Sequence, residues 1–358
     1  MPATPLLDLH QAANARLTEE AGWWIPSSYG DTVAEHLTCR ESAVVIDLSH
    51  RGNLCFSGAD AEEFLHRMLS NQVKELNPGE GAYNTFLTRQ GKFISDLYMY
   101  RSETFVVASV APGMAEILAE EIDRFIIMDQ VEVTNETENS FCIGLFGPDS
   151  REIIAKAGMG EPSSEEHGHR TSGNMMIARE LWTGEDGYLL MGLRDEAESV
   201  WRTLLDAGAN PAGVAAFGSL TIEAGVPLFS KDMTSAVNPM QAGLEEKAID
   251  FDKGCYIGQE VIAKIKYLGQ VNRGLVGLKV EGKAVPEPGA AVYCDEKNIG
   301  AITRSAFCPT VGAVLAFAYL PRAQMEPGTE VRADCHGDDA KATVENLPFY
   351  RKESEVIG

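Results

Sequence analysis

Apolar positions along the chain change period several times, and each change marks an element. Leu9, Ala13 and Leu17 fall on one face after Asp8, a residue suited to capping, so a helix is expected to open within 7–22. Two adjacent tryptophans, Trp23 and Trp24, precede Pro26 and predict a loop folded onto the core. Strands are predicted over 53–56, 83–87, 93–100, 104–110 and 130–133, with helices over 60–69 and 114–128. In the first of these helices Phe64, Leu65, Met68 and Leu69 share a side. Asn77-Pro78-Gly79 reads as a turn and Arg89-Gln90-Gly91-Lys92 as a hairpin connection.

The same succession then recurs. A strand over 141–146 ends at Gly147-Pro148, and Asp149 is placed to cap a helix to 157. Residues 158–174, rich in Gly, Ser, Glu and His, read as a surface loop. Strands over 176–182 and 188–193 flank the turn Thr183-Gly184-Glu185-Asp186-Gly187, in which Glu185 and Asp186 are expected to be exposed. Helices follow over 196–207 and 213–224. Two strand–helix–strand–strand–helix units predict two related α+β subdomains. From Gly274 the strands are short (274–280, 290–293, 299–305, 311–317, 330–332) and separated by Pro and Gly turns, which predicts a small β-barrel. The expected organisation is a core over 1–270, with roughly 52–138 forming one subdomain, and a C-terminal barrel over 271–358.

Composition narrows the function. A formal net charge of −23 argues against broad DNA binding. It also means that an anionic ligand needs a local basic patch. Lys264, Lys266 and Arg273 are candidates, equally readable as a solvated edge. No apolar run is long enough to span a bilayer, and residues 1–10 lack the pattern of a secretory leader. Seven scattered cysteines with no Cys-x-x-Cys pair fit a reducing cytoplasm. Phosphate-binding glycine loops, zinc spacings and hydrolase elbows are absent from the sequence.

The densest chemistry lies at 252–262. Gly254 and Gly258 predict a tight loop around Cys255, and Lys253 lies two positions from the thiol, where it would favour the thiolate if its amine reaches the sulfur. The alternative is a small packing cysteine in a turn. Residues 259–266 fit a short helix or a strand. A single cysteine cannot hold an iron–sulfur cluster; at most it lends one thiolate to a cluster shared with a partner. The second candidate is Asp96, which interrupts an apolar strand. A buried carboxylate there is costly unless paired or used, whereas a strand-edge aspartate in water is not. Tyr83, Tyr98 and Trp182 are readable as pocket walls or as core. His36 and His50 read as hydrogen-bonded structural histidines, since a metal site needs more ligands at set spacing.

The run Lys-Gly-Cys-Tyr-Ile-Gly-Gln-Glu at 253–260 resembles the signature of the YgfZ family of folate-binding proteins, relatives of the glycine cleavage T-protein (aminomethyltransferase). The aromatic-Pro-Tyr stretch at 22–30 and the Asp-Leu-Ser-His turn at 47–50 resemble the T-protein N-terminus. The resemblance implies an α+β fold of two interwoven ferredoxin-like subdomains around a central folate pocket, plus a C-terminal β-barrel. It implies tetrahydrofolate or a one-carbon derivative as cofactor in a pocket near Asp96, with Asp96 and Cys255 as the reactive groups and no metal; Tyr83 and Trp182 as pocket walls, and Lys253 and Lys264 as cations near the signature, are the further residues expected to bind it. Iron–sulfur assembly proteins are the implied partners. Asp96 matches the second acid of the T-protein Asp-Asp-Leu motif, and Ser95 replaces the first. The T-protein's folate-binding Glu falls on Leu189, and its binding arginines fall in a segment like 214–225, which holds Phe217 and Thr221. Two functions follow: a YgfZ-type role in assembly or maintenance of iron–sulfur enzymes, which the cysteine signature favours, or a tetrahydrofolate-dependent aminomethyl- or methyltransferase, which Asp96 favours. A folate-free scaffold acting through protein contacts is a third.

Overall fold

The computed structural model describes residues 3–352. It opens with α1 (Leu7–Ala12), the hairpin β1 (Arg16–Glu20) and β2 (Trp23–Ser28), then α2 (Thr32–Glu41) and β3 (Val44–Asp47). A first unit follows: β4 (Gly52–Ser57), α3 (Ala61–Met68), β5 (Gly81–Leu87), β6 (Phe93–Arg101), β7 (Phe105–Val110), α4 (Ala115–Asp123) and β8 (Glu132–Asn135). The second is β9 (Ser140–Phe146), α5 (Ser150–Lys156), β10 (His169–Ser172), β11 (Met175–Arg179), β12 (Gly187–Leu193), α6 (Ala197–Asp206) and β13 (Asn210–Pro211). Three helices, α7 (Val214–Glu223), α8 (Glu245–Ala248) and α9 (Gln259–Leu268), lead to the C-terminal strands β14 (Arg273–Val280), β15 (Ala291–Cys294), β16 (Lys297–Cys308), β17 (Ala313–Pro321), β18 (Glu330–Cys335) and β19 (Asp338–Glu345).

The two units share one connectivity. The first sheet runs β5-β6-β7-β4-β8, and the second β10-β11-β12-β9-β3-β13. The second order is that of the first with β3 inserted. Because β3 precedes the first unit in the chain, the two ferredoxin-like units are interwoven. All four residues of β3 are buried, as an apolar strand covered on both faces should be.

Side-chain alternation decides what each sheet face meets. In β3, Val45 points to the α5/α6 layer with Ile143, Ile153 and Trp201, while Val44 and Ile46 point the other way. In β6, Leu97 and Met99 meet the α3/α4 layer, while Tyr98 and Tyr100 point the other way. The two inward faces share one cluster with Tyr83, Phe146, Trp182 and Phe217. Helices therefore cover the outside, and the functional space lies between the sheets. The last six strands close into a barrel in the order β14-β17-β16-β15-β18-β19.

Several local expectations change. Trp23 and Trp24 lie in a strand paired with β1, not in a loop, and alternation buries Trp23 while leaving Trp24 42% exposed. Leu17 belongs to β1, so the first helix is a short one. Asp8 and Asp149 make no capping bond through their side chains. The 158–174 loop contains β10, and 259–266 is helical. Strand β19, too polar in its first residues to stand out, completes the barrel by pairing with β14 and β18. No helix among the described residues is long and apolar enough to cross a membrane.

Candidate functional site

Two adjoining cavities, about 430 and 260 Å³, lie between the sheets; Tyr98, Trp182 and Pro227 line both. The larger is bounded by the β11–β12 connection, His167, and the C-terminal segment at Pro348–Lys352. The smaller is bounded by Asp96 of β6, His50 and Arg51 ahead of β4, Phe217 of α7, and Arg304 of the barrel.

Asp96 is 4% exposed. Alternation along β6 turns it to the inter-sheet space, away from the helix layer that Leu97 enters. Its Oδ2 accepts a 2.9 Å hydrogen bond from the Tyr83 hydroxyl, while Oδ1 is buried with no protein partner. Burial raises its pKa, against the opposing pull of the Arg51 guanidinium and the Tyr83 hydrogen bond. Tyr83 stacks on Tyr98 with ring centroids 4.4 Å apart, and Trp182 meets Tyr98 edge-on at 4.8 Å. The Trp182 Nε1 is also buried without a partner. The fold thus brings Asp96, Tyr83 and Trp182 together. Aromatic walls with a few convergent polar atoms are the usual composition of a small-molecule site.

Other residues in this space had not been singled out. Glu180 is fully buried; its Oε1 accepts from the Tyr100 hydroxyl at 2.8 Å and pairs with His167 Nδ1 at 2.9 Å, while Oε2 has no partner. Burial alone would lower the His167 pKa, but the Glu180 carboxylate raises it overall. Arg51 Nε donates to Ser109 Oγ at 3.0 Å, and its guanidinium lies 4.6 Å from the Trp182 ring centroid. Burial pushes the Glu20 pKa up, but hydrogen bonding and charge from His50 and Lys231 outweigh it and bring it down to about 2.

The departures noted in the sequence are also resolved. Leu189 is core. Phe217 packs 6.1 Å from Trp182, and the Thr221 hydroxyl accepts from Arg304 at 2.6 Å, so an arginine reaches this region from the barrel instead of from α7. Glu185 is buried, not an exposed turn acid; it accepts a 2.5 Å hydrogen bond from the Tyr350 hydroxyl. His36 is held between Ser219 and Glu223, whereas His50 lines the smaller cavity.

The remaining candidates lie elsewhere. Lys253 is buried, and its amine donates to the carbonyls of His66, Leu69 and Asn71 at 2.7, 2.5 and 2.7 Å. Those carbonyls, at and beyond the end of α3, take up its three protons, so the amine faces neither cavity and is not spent on the Cys255 thiol. Lys264 pairs with Glu260 at 2.7 Å along α9, Lys266 pairs with Glu245, and Arg273 donates to the Tyr319 carbonyl at 2.9 Å. None of these three lines either cavity. Cys255 is exposed in a shallow depression with His66, Arg67 and Lys74. Among the described residues, no group of three or more His, Cys, Asp or Glu side chains is placed to hold a metal ion.

Comparison with known proteins matches this geometry to a family. The family model described as GCVT N-terminal domain covers residues 6–253, and that of the glycine cleavage T-protein C-terminal barrel domain covers 273–351. An aminomethyltransferase of Rubrobacter xylanophilus is 32% identical, covering 98% of this chain and 94% of its own. Another, of Saccharopolyspora erythraea, is 32% identical with 98% of both chains covered. The crystal structure of glycine cleavage system aminomethyltransferase T from Bartonella henselae superposes with a TM-score of 0.91 at 28% identity, covering 97% of this chain and 98% of that one. These relatives bear the aminomethyltransferase name and not that of the YgfZ branch. The chain belongs to the glycine cleavage T-protein (aminomethyltransferase) family.

Proposed function

We propose that this protein is a tetrahydrofolate-dependent one-carbon transferase of the aminomethyl- or methyltransferase type, with Asp96 as its catalytic carboxyl. The observation that carries this reading is Asp96 itself. It is a buried acid with one oxygen anchored by Tyr83 and the other unpaired in an aromatic-walled cavity. Such residues fit a reduced folate: Tyr83, Tyr98 and Trp182 offer flat surfaces to its ring system. The unpaired Glu180 Oε2 offers an acceptor for N–H groups that Leu189 cannot supply. When bound, tetrahydrofolate supplies the nitrogen nucleophile that takes up the one-carbon unit. Asp96, its pKa raised by burial, holds or releases a proton at Oδ1 closer to neutral pH than a solvated aspartate does. Tyr83 fixes the direction in which that oxygen points.

The test is calorimetric titration with tetrahydrofolate and 5-formyltetrahydrofolate, followed by turnover of a methylamine-type donor, for wild type and Asp96→Asn. Micromolar binding corresponds to about −8 kcal/mol and is readily measured. The expected result is binding by both proteins and a loss of about 10²- to 10⁴-fold in turnover for the variant. Equal turnover by both, or no folate binding by wild type, overturns the proposal.

A second reading, the YgfZ-type role with iron–sulfur assembly proteins as partners in the cytoplasm, is favoured by Cys255, an exposed thiol beside basic side chains. Unchanged activity of iron–sulfur enzymes in a Cys255→Ala strain would sink it. A reducing compartment agrees with seven unpaired cysteines.

A further inference from the structure

The smaller cavity contains a charge that the fold does not neutralise. Arg51 is 9% exposed, yet among the described residues it forms no ion pair. The other basic side chains of that cavity are compensated: Lys231 pairs with Glu20 and Arg304 with Asp232, both at 2.8 Å, and His50 stands 3.8 Å from Glu20. The Arg51 guanidinium is held by Ser109 at Nε and by the Trp182 face, while Nη2 is buried with no partner. His50 Nδ1 and Asp96 Oδ1 are likewise buried and unpartnered. A buried guanidinium without an anion is costly, and its planar fork matches a carboxylate. Nearby Asp96 does not close an ion pair with it: one carboxyl oxygen is taken by the Tyr83 hydroxyl and the other has no protein partner.

Size and charge restrict the ligand. About 260 Å³ lies below the roughly 300–1,000 Å³ of drug-sized sites, so the occupant is small. With one uncompensated cation and the Glu20 carboxylate in the same lining, a monoanion is favoured over a phosphate dianion. The unpaired Asp96 oxygen in the same cavity suits an ammonium. We propose that Arg51 is the carboxylate receptor for a small zwitterionic amine acid, of the class of an N-alkylated amino acid, whose nitrogen lies toward Asp96. Its place as a substrate of Asp96 chemistry rests on the transferase reading above; the binding itself does not.

The experiment is calorimetry on the full chain, using wild type, Arg51→Gln and Arg51→Lys. The probes are N-methylglycine, N-methylglycinamide, which keeps the ammonium but lacks the carboxylate, tetrahydrofolate, and tetrahydropteroate, which lacks the glutamate tail. Expected is wild-type binding of N-methylglycine over its amide, weakened about 10- to 100-fold by Arg51→Gln and less by Arg51→Lys, with tetrahydrofolate affinity unchanged. Equal affinity of wild type for acid and amide, or an Arg51→Gln variant that binds N-methylglycine as wild type does, overturns the inference. So does wild type that takes tetrahydrofolate but not N-methylglycine, which leaves the transferase reading standing. If Arg51→Gln weakens tetrahydrofolate but not tetrahydropteroate, the carboxylate belongs to the folate tail and the inference falls. Arg51-dependent binding of N-methylglycine without folate binding supports the inference and removes the transferase reading. The acid–amide comparison on wild type keeps the test decisive if Arg51→Gln fails to fold.

Discussion

At the residue scale, Asp96 trades stability for chemistry. Burial raises its folded pKa above the ordinary 3.8. Between those two values the folded protein keeps a proton that the unfolded chain has lost, so stability falls as pH rises through that window. Asp96→Asn removes this cost. The thermal midpoint of the variant should therefore exceed that of wild type near pH 7.5, with the gap closing toward pH 4. A gap independent of pH would show that the carboxylate pays no such penalty. This acid was legible in the sequence because one carboxylate in an apolar strand stands out. Arg51 and Glu180 were not, because their partners are distant: Ser109 lies 58 positions from Arg51, and Tyr100 lies 80 from Glu180. Lys253 and Lys264 were drawn into the site by sequence proximity to Cys255, but a helix end and an i,i+4 pair on α9 claim their charges.

At the scale of elements, the 253–260 motif contains two glycines with different duties. Gly258 sits at φ +85° ahead of α9, and a Cβ there would lie 2.6 Å from the Thr88 carbonyl oxygen in the β5–β6 hairpin. Gly254 has no atom within 4 Å of a Cβ position and no left-handed backbone. Gly258→Ala should cost about 2 kcal/mol or more by urea denaturation, through αL strain and contact with the hairpin backbone. Gly254→Ala should stay within about 0.5 kcal/mol. Equal effects would mean that α9 is not seated on that hairpin through Gly258. The motif was conspicuous from its spacing, yet spacing alone left helix and strand open over 259–266. What resolved it was contact with a hairpin some 170 positions earlier. The repeated units were visible because the apolar period repeats; the insertion of β3 was not, because strand order leaves no local trace.

At the scale of the whole molecule, Glu223 of α7 ties core to barrel. Its carboxylate accepts from Arg40 at 2.8 Å and from the backbone N–H of Thr310 at 3.0 Å, and it meets His36 at 3.1 Å. Burial pushes its pKa up, but His36, Arg40 and Thr310 outweigh burial and bring it down to about 2. Its contribution is therefore complete above the ordinary 4.5 and is lost as pH falls toward 2. Glu223→Gln should lower stability by about 3–5 kcal/mol at neutral pH and flatten the acid limb of unfolding, measured by urea melts from pH 7 to 3. An unaltered acid limb would assign acid unfolding to other carboxylates. The placement of β3 bears on synthesis as well. Val44 leaves the ribosome early, but its antiparallel partner Phe146 follows about 100 residues later and its parallel partner Asn210 about 170 residues later. At about 5–20 residues per second, this strand waits on the order of ten seconds or more for its sheet. Meanwhile β4 through β8 have emerged complete. The nascent chain thus carries an apolar strand with no neighbour until β9 emerges and with one edge open until β13 follows, and that interval is the time when a chaperone has something to hold.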